Sequence, residues 1–375
     1  MAIPYGHQSI DDSDIAAVLE ALKDDWLTMG PRVAAFERDL AEAASATTAV
    51  AVSSGTAALH CAYAATGVGP GDTVVTSPLT FVATAATAML HGADVVFADV
   101  ESDTGNLNPE SVESCVTERT RVIAAVDYAG HPADMDELAR VAREHDVLLL
   151  EDAAHSIAST YKNRLVGSLA DITTFSFFPT KNLTTSEGGA VVTSNPELAD
   201  RARRFRTHGL VRDSDLLRYP DEGPWHQEVH QLGLNYRLPD VLCALGISQL
   251  ARIEEFKQSR RRVFHNYISG LKDVDGVRLP ERRENTDPMW HLFPIRVEAS
   301  RRRKIFEFLR ENQVLVQVNY IPVYWHPLFE DLGYRRGMCP VAEKFYSEEI
   351  SLPMFASLTE SDQSRVIELV REAVS

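Results

Sequence analysis

The sequence predicts an α/β protein: a mainly parallel sheet wrapped by helices on both faces, followed by a smaller α+β unit. Three observations carry that expectation. Between residues 49 and 194, short runs rich in β-branched residues alternate with helical stretches. Most of those runs are apolar throughout, as strands are when helices cover both faces of their sheet. At 375 residues the chain is also longer than one ordinary domain, so we divide it into a large unit, 1–250, and a small C-terminal unit, 251–375. Residues 1–30 are expected to pack near the functional site.

The strands expected in order are Ala49–Val52, Thr73–Thr76, Val95–Ala98, Val122–Val126, Val147–Leu150, Thr173–Phe177 and Ala190–Thr193. Helices fall between them at Thr56–Ala65, Thr80–Leu90, Pro109–Val116 and Asp134–Glu144, with Pro109 in a first turn and Asp134 as an acidic starter. From His208 to Gly233 the chain is rich in Gly, Pro, Asp and aromatics and has no clean period, which predicts a long ordered loop. Pro239 opens a long helix with apolar residues near a 3.6 period, bridging the two units. In the C-terminal part, Leu292–Val297 and Val314–Tyr320 read as strands. Ser300–Glu311 and Thr359–Val374 read as helices, the latter opened by Thr359 and Asp362.

Composition excludes several classes. Hydrophobic residues at 45% and charged residues at 24% fit a globular protein with a substantial core. No apolar run is long enough for a membrane span, and the N-terminus lacks a basic region followed by an apolar stretch, which points to the cytoplasm. Cys61, Cys115, Cys243 and Cys339 are far apart and fit reduced thiols rather than a disulfide frame; no metal site is expected. A net charge of −17 disfavours nucleic acid as a partner. The two arginine triplets, 260–262 and 301–303, read as solvated helix faces.

Ligands of open α/β sheets bind beyond the carboxyl ends of the strands, so the residues just after each apolar run matter most. Of the seven lysines, six lie in segments that read as solvated. Lys181 instead follows Phe175–Ser176–Phe177–Phe178–Pro179 and precedes Glu187–Gly188–Gly189, at a strand end, where burial can lower an amine's pKa and prepare it to trap an aldehyde. After Val147–Leu150 stands Glu151–Asp152–Ala153–Ala154–His155, and a carboxylate there needs a cationic partner such as a protonated ring nitrogen. Gly-x-x-x-x-Gly-Lys-Ser/Thr is absent, which removes the magnesium-nucleotide reading of that acid. Ser53–Ser54–Gly55–Thr56 opens a helix whose free N–H groups, with the Ser54 and Thr56 hydroxyls, suit a phosphate, and equally reads as an ordinary cap. Phe81 offers a stacking face or a core residue, Ser176 a further phosphate donor, and His155 a ring contact or core filling. The set as a whole matches the needs of pyridoxal phosphate.

These motifs, in the order Ser-Gly-Thr-Ala-Ala-Leu, Thr-Phe-Val-Ala-Thr, Glu-Asp-Ala-Ala-His, Phe-Ser-Phe-x-x-x-Lys with Glu-Gly-Gly, and Gly-x-Asn-Tyr-Arg, resemble the DegT/DnrJ/EryC1/StrS sugar aminotransferases over essentially the whole chain. The resemblance implies the type I fold of pyridoxal phosphate enzymes, like that of aspartate aminotransferase. It implies Lys181 holding the cofactor as a Schiff base, Asp152 at the pyridine nitrogen, His155 at the ring oxygen and Phe81 on the ring face. Gly55, Thr56 and Ser176 would bind its phosphate, and Asn235 the phosphate of the neighbouring subunit of a homodimer. Trp26, Thr28, Gly30, Tyr320 and Tyr324 would lie near the substrate.

Trp26–Pro31 and Ala244–Leu250 look most like the branch that aminates C4 of nucleotide-linked 4-keto-6-deoxy sugars. L-glutamate would be the amino donor, with pyridoxamine phosphate formed between two ping-pong half-reactions. Phe178 and Asn319 stand where many relatives carry histidine, and Asn319 bears on the sugar. A deoxysugar dehydratase on the same fold, or an aminotransferase for a non-nucleotide keto sugar or cyclitol, is the alternative. Lys181 argues against the dehydratase, whose best-known members have histidine there. A non-catalytic regulatory protein would need a DNA-binding module for which the chain has neither length nor basic charge.

Overall fold

The computed structural model describes residues 2–375. Two helices, α1 (Asp12–Lys23) and α2 (Pro31–Ala43), precede an alternating stretch: β1 (Thr48–Val52), α3 (Gly55–Thr66), β2 (Thr73–Thr76), α4 (Ala83–Leu90), β3 (Asp94–Phe97), α5 (Pro109–Cys115), β4 (Thr120–Val126), α6 (Met135–Glu144) and β5 (Leu148–Asp152). A small hairpin, β6 (Thr160–Tyr161) and β7 (Arg164–Leu165), leads to β8 (Ile172–Ser176), β9 (Gly189–Thr193) and α7 (Pro196–Arg206).

The seven-stranded sheet has the order β1-β9-β8-β5-β4-β2-β3, and only β9 runs against the others. Register places Asp152 of β5 beside both Val126 of β4 and Thr174 of β8, so the carboxyl ends of the central strands share one edge. Gly189 opens β9 where a Cβ would lie 2.5 Å from the Ser54 carbonyl and 2.7 Å from that of Phe175, and its missing side chain lets the start of α3 close onto the end of β8. Apolar clusters fill both faces of the sheet, as the uninterrupted burial of its strands requires.

Beyond the sheet, β10 (Leu210–Val211) and β11 (Glu228–Val229) form a short antiparallel pair. The remaining elements are α8 (Asp240–Ala251), α9 (Ile253–Leu271), β12 (Thr286–Asp287), β13 (Phe293–Arg296), α10 (Ala299–Glu311), α11 (Pro327–Asp331), α12 (Pro340–Glu348), β14 (Glu349–Leu352) and α13 (Glu360–Val374). Strands β13 and β14 pair antiparallel and pack with α10, α12 and α13 on the cluster that continues from the large unit. We propose the unit boundary at the joint between α8 and α9, where α8 packs on α1 and α2 while α9 packs on α13. Among the described residues no helix is long and apolar enough to cross a membrane.

Several expectations are corrected. The expected strand Val314–Tyr320 is irregular: only Val314 and Gln317 make isolated bridges, to Ile3 and Ser351, because no neighbouring strand runs its full length. The long helix from Pro239 breaks at Arg252, whose backbone leaves helical geometry at φ −107° and ψ 12°. The helix expected from Thr80 starts at Ala83. Within 208–233 the loop contains the β10–β11 pair. Arg260 is buried, with Nη1 donating to the carbonyls of Trp290 and Met354, and Lys257 is buried against Asp287 and the Ala158 carbonyl.

Thr359 caps α13 as expected, its hydroxyl accepting from the Asp362 N–H at 3.1 Å. Thr359→Ala should therefore lower unfolding free energy by about 1 kcal/mol, read as a shifted urea midpoint with unchanged slope.

Candidate active site

The strand ends open onto a cavity of about 550 Å³. Lys181 lines it from the connection between β8 and β9. That connection is pinned on both sides. Its backbone turns through the bond from the Lys181 N–H to the Phe178 carbonyl at 2.9 Å, and Thr185 N–H returns to the Phe177 carbonyl at 3.0 Å. Next to the lysine, the buried Asn182 donates from Nδ2 to the carbonyls of His155 at 2.8 Å and Met289 at 2.7 Å, fixing the loop to both units.

Burial pushes the Lys181 amine down to about 8, with the Asp152 charge acting in the opposite direction. At pH 7.5 a group with that value is roughly one-quarter neutral, against roughly one part in a thousand for an ordinary lysine. Asp152 ends β5 with its side chain on the cavity face, whereas Glu151 points to the other face, as strand alternation demands. Glu151 there accepts from Thr173 Oγ1 at 2.9 Å and the Gly167 N–H at 3.2 Å. Asp152 is buried and its carboxyl is raised by desolvation, opposed by Thr84 Oγ1 donating at 2.7 Å, the Ala154 N–H at 3.2 Å and the Lys181 charge.

The start of α3 faces the same cavity. Ser54 caps the helix: its Oγ accepts from the Ala57 N–H at 3.0 Å and its carbonyl from the Ala58 N–H at 3.0 Å. Of the first four amides this leaves those of Gly55 and Thr56 for a ligand, so the Ser54 oxygen serves the cap and the two following amides form the cradle. At Gly55 a Cβ would sit 2.7 Å from Ser176 Cβ and 2.8 Å from its Oγ. Glycine is what allows the Ser176 hydroxyl to lie beside the helix terminus.

Three aromatic groups complete the walls. Phe81 is 60% exposed, so it offers a face to the cavity instead of filling the core. Tyr320 Oη lies 3.1 Å from His155 Nε2, and the His155 ring packs 4.3 Å from that of His291. Burial first, and the nearby Lys181 charge with it, holds both imidazoles well below the usual histidine range, so both are neutral. Sequence reasoning missed His291 and Tyr5, which also line the cavity. Both come from outside the strand ends of the large sheet, His291 from just before β13 and Tyr5 from the N-terminal segment.

The structure therefore brings together Lys181, Asp152, His155, Phe81, Gly55, Thr56, Ser176 and Tyr320. It does not bring Tyr324 there: that side chain is fully buried, with its hydroxyl donating to Glu343 at 2.7 Å. Trp26, Thr28 and Asn235 are exposed outside the cavity of the single chain. Gly30 caps α2, its N–H donating to the buried Asp240 at 2.7 Å.

Residues 8–371 match the model of the DegT/DnrJ/EryC1/StrS aminotransferase family. The chain belongs to this family. It is 36% identical to a Campylobacter jejuni UDP-4-amino-4,6-dideoxy-N-acetyl-beta-L-altrosamine transaminase, over 96% of this chain and 94% of that one. Helicobacter pylori PseC, an aminotransferase of pseudoaminic acid biosynthesis, superposes with a TM-score of 0.94 at 31% identity, covering 100% of this chain and 99% of that one. The Streptococcus pneumoniae protein Spr1654 in its PLP form gives 0.93 at 28% identity, covering 100% and 99%. The chain is thus a PLP-dependent sugar aminotransferase with the α/β fold of that class. The cavity fits the cofactor: a cradle of free amides that a Cβ at Gly55 would fill, a buried acid for a ring nitrogen, and a half-buried amine held near neutrality.

Two outcomes follow. Gly55→Ala should weaken pyridoxal phosphate binding at least tenfold, because the added carbon displaces Ser176, as read by equilibrium dialysis. Capture of pyridoxal phosphate by the cofactor-free chain should speed up as pH rises through about 8. In Asp152→Asn the inflection should move to lower pH, since the lost carboxylate was raising the amine; stopped-flow absorbance against pH checks this.

Proposed function

We propose that the enzyme moves the amino group of L-glutamate to a keto sugar, at C4 of a nucleotide-linked 4-keto-6-deoxy sugar. What carries the amino-transfer reading is the half-buried Lys181, its amine lowered toward neutrality, lining one cavity with the buried Asp152 carboxylate and an open helix N-terminus. The sugar reading is supported by the likeness to the Campylobacter transaminase and to PseC.

Pyridoxal phosphate, when bound, supplies an electron sink for negative charge at the carbon that carries the transferred nitrogen. The chain's own groups do the rest. Asp152 would keep the ring nitrogen protonated, and Gly55, Thr56 and Ser176 would hold the phosphate. Phe81 would cover one ring face, and His155, neutral and hydrogen-bonded to Tyr320, would face the ring oxygen. Lys181, lowered toward neutral pH, takes the proton from the glutamate α-carbon and later returns one to the sugar carbon. The keto acid leaves before the sugar enters the same cavity, so kinetics are ping-pong.

Asn235 we assign to the phosphate site of a second copy of the chain. Near it in the chain, Leu232, Leu234 and Trp225 are exposed apolar residues on the single chain; Leu232 is 89% and Trp225 80% exposed. A homodimer whose sites are shared accounts for that exposure and brings Trp26, Thr28 and Gly30 toward a partner's sugar site. Small-molecule partners, in place of nucleic acid, agree with the net charge of −17.

Lys181→Ala should lower turnover by at least a thousandfold, while Asp152 and the phosphate cradle still retain the cofactor noncovalently. The check is to load wild type and variant with glutamate and offer UDP- and dTDP-linked 4-keto-6-deoxyhexoses, following conversion of the pyridoxamine form back to pyridoxal. Wild type inert to the whole panel contradicts the sugar assignment; an active Lys181→Ala contradicts the role of the lysine.

A further inference from the structure

Asn319 is held from every side where it meets the cavity wall. Its backbone N–H donates to Glu349 Oε2 at 2.8 Å, and its carbonyl accepts from the Tyr128 hydroxyl at 2.5 Å. Its side-chain Nδ2 donates to Tyr5 Oη at 2.8 Å and to Ser351 Oγ at 3.1 Å. Ser351 in turn donates its single proton to Glu349, so only lone pairs remain for Asn319. Both protons of the carboxamide nitrogen therefore have partners, and Oδ1 is the one polar atom of that side chain without one among the described residues. Glu349 and Ser351 are fully buried on β14, which makes this a built orientation.

We infer that Asn319 is a specificity-determining residue that, with Glu349 ionised, offers the sugar its carboxamide oxygen, a hydrogen-bond acceptor oriented by Ser351, Glu349 and Tyr5. The residue selects a hydroxyl or N–H at that point of the substrate and disfavours an anionic oxygen there, which places the phosphates of a nucleotide-linked sugar elsewhere in the cavity. This rests on the sugar aminotransferase reading above and adds the polarity of one contact to it. The orientation is that of ionised Glu349, whose carboxyl burial pushes up to about 8 against the hydrogen bonds from Ser351 and Asn319 and the charge of Arg302, so the acceptor face develops as pH rises through about 8. Below that, a proton on Glu349 frees Ser351 to donate toward Asn319 and lets the carboxamide nitrogen turn to the cavity.

The test runs at pH 9, with Glu349 ionised, on the enzyme carrying its cofactor. KM and kcat for the best 4-keto-6-deoxyhexose nucleotide of the panel are measured for wild type, Asn319→Leu and Ser351→Ala, with cofactor absorbance and melting temperature as controls of folding. Asn319→Leu should raise KM about tenfold, the loss of one hydrogen bond, with a smaller change in the glutamate half-reaction. Ser351→Ala frees the carboxamide and should fall between wild type and Asn319→Leu, and it carries the test if Asn319→Leu does not fold. Unchanged KM in both Asn319→Leu and Ser351→Ala overturns the inference. Wild type inert to every sugar overturns the functional reading and this inference with it, an outcome distinct from that one.

Discussion

A positive and a negative group buried at neighbouring strand ends constrain everything else in this structure. Lys181 and Asp152 are both taken from water, which disfavours the charge of each, and each supports the charge of the other. The amine stays poised near neutrality and the carboxyl keeps donors from Thr84 and Ala154. A cavity holding a cationic ring is what makes the pair useful.

The fold builds this arrangement through the sheet edge. Parallel strands β8, β5, β4 and β2 deliver their carboxyl ends to one side, and β9 turns back so that the lysine connection is a short pinned loop. Gly55 and Gly189 remove the two Cβ atoms that would hold α3 away from β8. The small unit then closes the opposite wall with His291, Asn319 and Tyr320. Asn182 ties the walls together by donating to one carbonyl on each. The two walls rest on one apolar cluster that continues from the sheet to β13 and β14.

Much of the large unit was legible in the sequence, because strands covered on both faces are apolar without interruption and strand-end residues announce themselves. The rule that ligands sit at carboxyl ends located Lys181, Asp152, Gly55, Ser176 and Phe81 without any contact information. The same rule is silent about the second wall. His291 precedes a strand, Tyr5 comes from an N-terminal segment bridged to Val314, and Asn319 lies in a stretch whose β-branched residues suggested a strand that has no partner to complete it. Arg260 and Lys257 read as solvated because helical charge patterns do not reveal which cation will find buried carbonyls or Asp287. Tyr324, four residues from Tyr320, turned into the core, where Glu343 accepts a hydrogen bond from its hydroxyl.

The central claim is that one particular amine bonds the cofactor. Borohydride reduction of the enzyme as isolated with pyridoxal phosphate, followed by peptide mass mapping, tests it most directly. The account predicts a single reduced pyridoxyl adduct, on Lys181, at close to one per chain. An adduct on any other of the lysines with Lys181 unmodified, or none at all, contradicts it.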